Sequence, residues 1–366
     1  MRRTLRIGVL VSDPYHYNAG ALVQTALVRL GVYDDAEFTG LTGGAGAEVI
    51  DTLKTGNGAF YEWRDEQELK ELLMRQRLTH LLSDDHLPRL RVASRASRAA
   101  GIKHLVYAHI FSGLSAISRN LPSSSFASAA RNALGGLVPF RGLTAEYVSL
   151  LRKAERVFPN SGFTQALLGW LYGVVSGPVA YPIVDEEFRR DRPIDQDTPQ
   201  PGAAIYFGNR GELSREVIAR AASFCRRMMI PHVEGFGDIA SSEEFAELFE
   251  GKSVMHKRPL SSEELAQLFS RSSVTIAPQT FEGFGLVGPE SILVGTPILL
   301  ANYQPWLEIT GPGNFCQFLR DDPCPNRAGR IPEKKTKELR AAREKLREAL
   351  SPEAFARRLI GGLTGQ

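Results

Sequence analysis

The sequence predicts an α/β protein of two consecutive domains, each built on a parallel sheet. Short β-branched and aliphatic runs alternate with amphipathic stretches along both halves of the chain, the pattern of strand–helix–strand crossovers. A charged, proline-rich segment with no apolar period, RRDRPIDQDTPQPG at 189–202, separates two such series. The 366 residues, 43% hydrophobic, suffice for two cores at ~100–200 residues per domain.

In chain order, LRIGVLVS (5–12) reads as the first buried strand, and a loop with Asn18 and Gly20 leads to a helix over 21–31 that a glycine stops. Helices follow at 65–77 and 90–101, with strands at 78–84 and 102–110. Residues 111–145 break the alternation: Ser, Gly and Ala dominate, with Phe111, Leu114, Ile117 and Phe126 interleaved with Arg119, Arg131 and Arg141. A helix over 145–154, a strand over 155–161, a helix over 163–173 and a strand over 177–185 complete the first series. Beyond the linker, strands are expected at 203–209, 231–237, 252–260, 273–279 and 296–302, with helices at 213–229, 241–251, 261–272 and 289–295. Ser261 or Ser262 before Glu263-Glu264 reads as a helix start of the capping-box kind. The charged run 332–362 closes the chain as one or two exposed helices.

Composition narrows the function classes. Forty-four basic against 41 acidic residues leave no field that points to nucleic acid. Three unevenly spaced cysteines make neither a disulfide framework nor a zinc site, as expected of a reducing, cytoplasmic compartment. MRRTLRIGVLVSDPY is too short in its apolar part for a signal peptide, and no run reaches the ~18 apolar residues of a membrane span. Membrane contact, if there is any, is then peripheral, and 111–145 is its candidate, the other reading of that segment being a helical hairpin whose apolar positions are core. Asp84-Asp85-His86 and Asp321-Asp322 lack further ligands at metal-binding spacing, so no metal is expected. Gly-x-Gly-x-x-Gly and Walker patterns are missing, which argues against a nicotinamide cofactor.

The chemistry concentrates in FEGFGLVGPE at 281–290. It falls where a strand-to-helix turn is expected, and in open α/β sheets ligands bind at such strand ends. Gly283, Gly285 and Gly288 allow backbone N–H groups to approach an anion, helped by the helix dipole. Glu282 and Glu290 are carboxylates, each able to accept two hydroxyl hydrogen bonds from a ribose or sugar diol. Spacing alone is equally met by a turn with two solvated acids.

This stretch resembles the signature of retaining glycosyltransferases of family 4, in the large GT-B group: Glu-Gly-Phe-Gly-Leu-x-x-x-Glu followed by Gly-Thr-Pro. Glu282 to Leu286, Glu290 and Gly295-Thr296-Pro297 match in type and spacing. RVFPNSGFTQALLGWLYG, YPIVDEEF (181–188) and YFGNR (206–210) resemble further segments of that family. The resemblance implies a GT-B fold, with two Rossmann-like domains facing across a cleft. Residues 1–188 would bind the acceptor, 189–202 link the domains and 203–331 bind a nucleotide sugar, while helices over 332–366 pack back on the first domain.

Carried over residue by residue, the resemblance implies that Glu290 holds the ribose and Glu282 the donor sugar. Backbone amides around Gly283, Phe284, Gly285 and Leu286 would lie near the phosphates. Arg210 matches the basic residue that grips the diphosphate. The lysine that usually follows is absent, with Arg215 its nearest substitute. His109 matches a histidine facing the donor sugar, and Gly20 a glycine of the first loop, although the usual Gly-Gly pair is Ala19-Gly20 here. Lys257, with Arg258 beside it, is a further candidate for the base or phosphates.

The activity implied is metal-independent, retaining transfer of a sugar from a nucleoside-diphosphate sugar, UDP- or GDP-linked, with no other cofactor. The acceptor would be a hydroxyl of a glycan, a lipid-linked glycan or a small molecule. A non-catalytic nucleotide-sugar scaffold and a phosphorylase-like enzyme remain as alternatives, the first favoured by the missing lysine, the second disfavoured by the glutamate pair.

Overall fold

The computed structural model describes residues 4–11, 19–43, 56–109, 145–190, 202–208, 213–249, 253–280, 282–319 and 336–365. They fall into two compact units, one holding residues up to Ile183 together with the stretch from Ala349 onward, the other holding Val184–Glu348.

The first unit is a seven-stranded sheet. Its strands are β1 (Leu5–Val11), β2 (Val32–Tyr33), β3 (Ala36–Thr42), β4 (Phe60–Glu62), β5 (His80–Asp84), β6 (Lys103–Ala108) and β7 (Arg156–Pro159). The order is β2-β3-β1-β5-β6-β7, with β4 also on β3. All pairs are parallel except β2 with β3. Helices α1 (Ala19–Leu30), α2 (Glu66–Arg75), α3 (Leu87–Ala100), α4 (145–153) and α5 (Gly162–Tyr172) cover it.

β1 and β3 pair from Leu5 with Ala36 through Val11 with Thr42. Nothing in the polar, glycine-bearing AEFTGLT marks β3 as a strand, because its fit to the sheet comes from burial between neighbours. Conversely, the strand expected over 177–185 forms no ladder. Pro178 and Pro182 have no N–H to offer one, and the segment is tied to β7 by isolated bonds instead, from the Gly177 N–H to the Val157 carbonyl at 2.7 Å and from the Ala180 N–H to the Pro159 carbonyl at 2.8 Å.

The second unit carries β8 (Gly202–Phe207), β9 (His232–Gly237), β10 (Ser253–Met255), β11 (Val274–Ala277), β12 (Ile298–Leu300) and β13 (Cys316–Phe318). All six are parallel, in the order β10-β9-β8-β11-β12-β13. Counted within the unit this is 3-2-1-4-5-6, whose direction of winding reverses between β8 and β11. Its helices are α6 (Glu186–Arg189), α7 (Arg215–Arg227), α8 (Ile239–Phe245), α9 (Ser262–Arg271), α10 (Val287–Leu293), α11 (Leu307–Thr310) and α12 (Lys337–Ala349). Ser261 caps α9 through a full capping box with Glu264. Cys225 and Cys316 are free and buried, and burial pushes both thiols up to about 12.

The units meet at 183/184, five residues before the end expected for the first domain. Asp185 caps α6, and α6 packs on α9 and α10. Phe188, fully buried, sets its ring 6.1 Å from that of Phe269. Of the two terminal helices only α13 (Pro352–Thr364) joins the first unit, where Phe355, Ala356 and Leu359 enter its core. α12 groups with the second unit, and Glu338 accepts from the Asn314 N–H at 2.9 Å. The excursion 111–144 and Asp321-Asp322 lie outside the described residues.

Replacing Phe188 by alanine is expected to cost about 3–5 kcal/mol, as for other buried phenylalanines. Amide hydrogen exchange should then rise in α9 and α10 and not in β1 or β5. Loss of protection in β1 and β5 instead would return residues 184–190 to the first unit.

Candidate active site

The switch point of the second sheet lies at the ends of β8 and β11. Gln279, buried just beyond β11, donates from Nε2 to the Tyr206 carbonyl on β8 at 3.2 Å and ties the two ends together. The chain then turns through Glu282, Gly283, Phe284, Gly285 and Leu286 into α10.

The glycines of this turn have distinct causes. Gly285 takes φ +84°, a conformation L side chains seldom adopt, and a Cβ there would come within 2.5 Å of Gln304 Oε1. Gly288 sits in the first turn of α10, where a Cβ would meet Trp306 Nε1 at 2.3 Å. Packing against Trp306 by itself requires a glycine here, a reason that the sequence does not show. Trp306 is completely buried, donates from Nε1 to Gln304 Oε1 at 2.9 Å, and its backbone N–H donates to the Phe284 carbonyl at 3.3 Å. No local signal marks Gln304 and Trp306, since NYQPW after a strand looks like an ordinary loop.

Behind the turn, Gly295-Thr296-Pro297 is a lock. Gly295 has φ +87°, and Thr296 Oγ1 donates to the Phe269 carbonyl at 2.6 Å. Ser291 Oγ reaches both Thr275 Oγ1 at 2.8 Å and the Thr296 carbonyl at 2.9 Å. α10 is thus pinned to β11 and α9 by buried polar contacts.

Glu290 points into this packed region and is only 6% exposed. Burial, with the charge of Asp185 added, pushes its carboxyl up to about 8. Asp185 itself accepts from Ser262 Oγ at 3.2 Å and from the Glu187 N–H at 3.0 Å. Glu282 is half-buried at the other side of the turn, and Phe284 is buried.

The remaining candidates are spread more widely. Arg215, the first residue of α7, is exposed and pairs with Glu247 at 2.5 Å. Lys257 is exposed beyond β10, and Arg258 forks onto Glu264 at the start of α9. Arg210 lies outside the described residues, and Gly20 is the second residue of α1.

His109 belongs to the first unit, at the end of β6. Its ring stacks on Tyr107 at 5.3 Å, and Nδ1 lies 3.2 Å from Asp85 Oδ1. Asp85, fully buried, also accepts from the His109 N–H at 3.2 Å and from Tyr147 Oη at 2.9 Å. Burial pulls the histidine pKa down, but the hydrogen bond and charge of Asp85, with Asp84 behind it, outweigh burial and leave it raised. Asp84 turns to other partners: Arg89, Gln24 Nε2 at 3.3 Å and the His86 N–H at 3.1 Å. The two adjacent aspartates are thus anchors for β5, α1, α3 and β6.

Comparisons with known proteins agree with this architecture. Residues 239–303 match the profile described as family 4 glycosyltransferase in conflict systems. A glycosyltransferase from Rickettsia africae ESF-5 superposes with a TM-score of 0.67 at 14% identity, over 98% of this chain and 97% of its own. Anabaena HepE in complex with UDP gives 0.65 at 13%, over 99% and 100%. Sucrose-phosphate synthase from Thermosynechococcus elongatus gives 0.64 at 14%, over 99% and 98%. No curated protein sequence matches the chain. The chain has the GT-B glycosyltransferase fold, and a family 4 glycosyltransferase signature spans its second unit from α8 to the loop after β12.

The buried Glu290 makes a pH prediction. Its folded pKa is raised from 4.5 to about 8, so the fold favours the neutral acid. That stabilisation is complete below the unfolded value and is lost as pH rises toward the folded one. Glu290→Gln keeps the shape without the titration. Between about pH 5 and about pH 8 the unfolding midpoint of the wild type should fall more than that of the variant. Parallel curves would show that Glu290 is already charged in the folded protein. Gly288→Ala, which drives a methyl group into Trp306, should destabilise by about 1–3 kcal/mol in chemical denaturation.

Proposed function

We propose that the protein is a retaining glycosyltransferase that takes its sugar from a nucleoside-diphosphate donor held by the second unit. The observation that carries this reading is Glu290, a carboxyl buried at the start of α10 beside a turn whose backbone is fixed by Gln304 and Trp306. A ribose diol is the natural partner of such a group, since it offers two hydroxyls to one carboxyl. In this reading Glu282 meets hydroxyls of the donor sugar. The N–H groups of Gly283 to Leu286 serve the diphosphate, and Arg210 its charge. HepE has been solved with UDP and with UDP and glucose, which supports a nucleotide sugar as the ligand class.

The leaving group is a diphosphate, so stabilising its developing charge is the largest contribution the protein makes to the reaction. As the family resemblance implies, the acceptor attacks from the face the diphosphate leaves, through an oxocarbenium-like state. A donor phosphate oxygen takes the acceptor proton, and neither a metal nor a side-chain base is required. The acceptor class proposed is a hydroxyl of a glycan, lipid-linked glycan or small molecule. A second reading, a nucleotide-sugar binder without transfer, draws on Arg215, whose guanidinium is engaged by Glu247 at 2.5 Å.

Calorimetry with UDP, GDP and ADP, on the wild type and on Glu290→Ala, tests the donor site. One nucleotide is expected to bind with micromolar affinity, and the variant to lose about tenfold or more, the cost of an unsatisfied pair of hydroxyls. Equal binding by both proteins would sink the assignment of Glu290. Binding of a nucleotide sugar with neither hydrolysis nor transfer over long incubation would select the second reading.

A further inference from the structure

The first unit carries an inverted helix. α5, GFTQALLGWLY, has no charged residue, and its core-facing side is made by Thr164 and Leu168. Gln165, its one long polar side chain, is turned onto the Gly177 carbonyl at 3.0 Å. What the helix shows to solvent is Phe163, Ala166, Gly169 and Trp170, which fall on one side at helical spacing, with Leu171 exposed at the last turn. Val175, just past the Gly173 cap, is exposed as well. Trp170 is 88% exposed and Val175 94%, so neither is packed in the fold. A surface helix of a globular unit ordinarily turns its apolar side inward, and a contiguous apolar face marks an interaction surface.

The charges around this face select the partner. Arg152, Lys153 and Arg156 are exposed at the end of α4 and the start of β7. Arg152 Nη2 donates to the Tyr172 carbonyl at the last turn of α5, and Arg156 lies against Gly177. The acids of the same region are neutralised elsewhere, Glu155 by Lys103 at 2.7 Å and Glu146 by Arg91 at 2.5 Å. An apolar side with a tryptophan and a basic flank is complementary to an anionic bilayer surface: apolar groups enter the headgroup boundary, and Arg and Lys meet the lipid phosphates. Pairing with a second copy through the same face would set the three basic residues against their own counterparts across a two-fold axis.

We propose that the exposed face of α5, with Val175 and the basic cluster Arg152, Lys153 and Arg156, docks the first unit on an anionic lipid surface. None of these residues belongs to 111–145, and the proposal does not depend on the donor-site reading.

The test is co-sedimentation of the full chain with vesicles of phosphatidylcholine alone or with phosphatidylglycerol added. The protein should sediment with the anionic vesicles only, and less at high salt. Of the three tryptophans, Trp306 is buried and Trp63 half-buried, so a blue shift of emission on binding should come from Trp170 and vanish in Trp170→Ser. That variant is expected to lose partitioning by about tenfold or more. Lys153→Gln combined with Arg156→Gln should weaken binding and flatten its salt dependence. Nucleotide binding and thermal unfolding of both variants should match the wild type. No sedimentation of the wild type overturns the proposal, as does equal sedimentation of wild type and Trp170→Ser. A vesicle-independent dimer that Trp170→Ser dissociates would overturn it in favour of a second copy.

Discussion

The turn at the switch point of the second sheet depends on the seating of one indole. Trp306 occupies the space beside Gly288, anchors Gln304, and donates its own N–H to Phe284. Everything in front of α10 is arranged around that volume. A Cβ at residue 285 or 288 has nowhere to go, so the two glycines, the glutamine and the tryptophan form one packing unit. The Ser291–Thr275 and Thr296–Phe269 hydrogen bonds hold α10 from behind. The result is backbone whose N–H directions are set before any ligand arrives, which is the condition for electrostatic preorganisation.

The first sheet solves the equivalent problem with charge. Asp84 and Asp85 end β5 side by side, both buried, and each is matched to its own set of donors. Arg89 compensates one aspartate, and His109 with Tyr147 compensates the other. Removing either carboxylate strands its partners in a low-dielectric region, whereas the intact network fixes the ends of β5 and β6.

Much of this was legible in the sequence because it is periodic or is forced by a small motif. The alternation over 5–110 and 203–302, the capping box at Ser261 and the strand-to-helix turn at 281–290 all carry local signals. The misses share a physical cause. β3 is a strand because it is enclosed, not because AEFTGLT prefers to be one. The segment 177–185 has the composition of a strand, but Pro178 and Pro182 interrupt it and leave isolated bonds to β7 in place of a ladder. Trp306 and Gln304 matter through tertiary contact with Gly288 and Gly285, each well back along the chain, which no local pattern encodes. The crossover after Ile183 has the same character: Phe188 joins the second core because Phe269 is there to receive it.

For a donor bound as proposed, the charges at the turn also fix its orientation. A diphosphate is repelled by carboxylates and attracted by N–H groups, while a diol is served by carboxylates and indifferent to net charge. Glu282 and Glu290 bracket the glycine-rich backbone, so phosphates settle over the turn only when the hydroxyl-bearing ends of the molecule lie toward the two acids. With its pKa raised to about 8, Glu290 is neutral near pH 7, so the repulsion that orients the diphosphate comes from Glu282, while Glu290 keeps an O–H to donate to a ribose oxygen. The burial that raises this pKa is produced by the packing of α6 and α9 on α10. The elements that hold residues 184–190 in the second unit therefore also enclose Glu290, the one buried carboxyl among that unit's described residues.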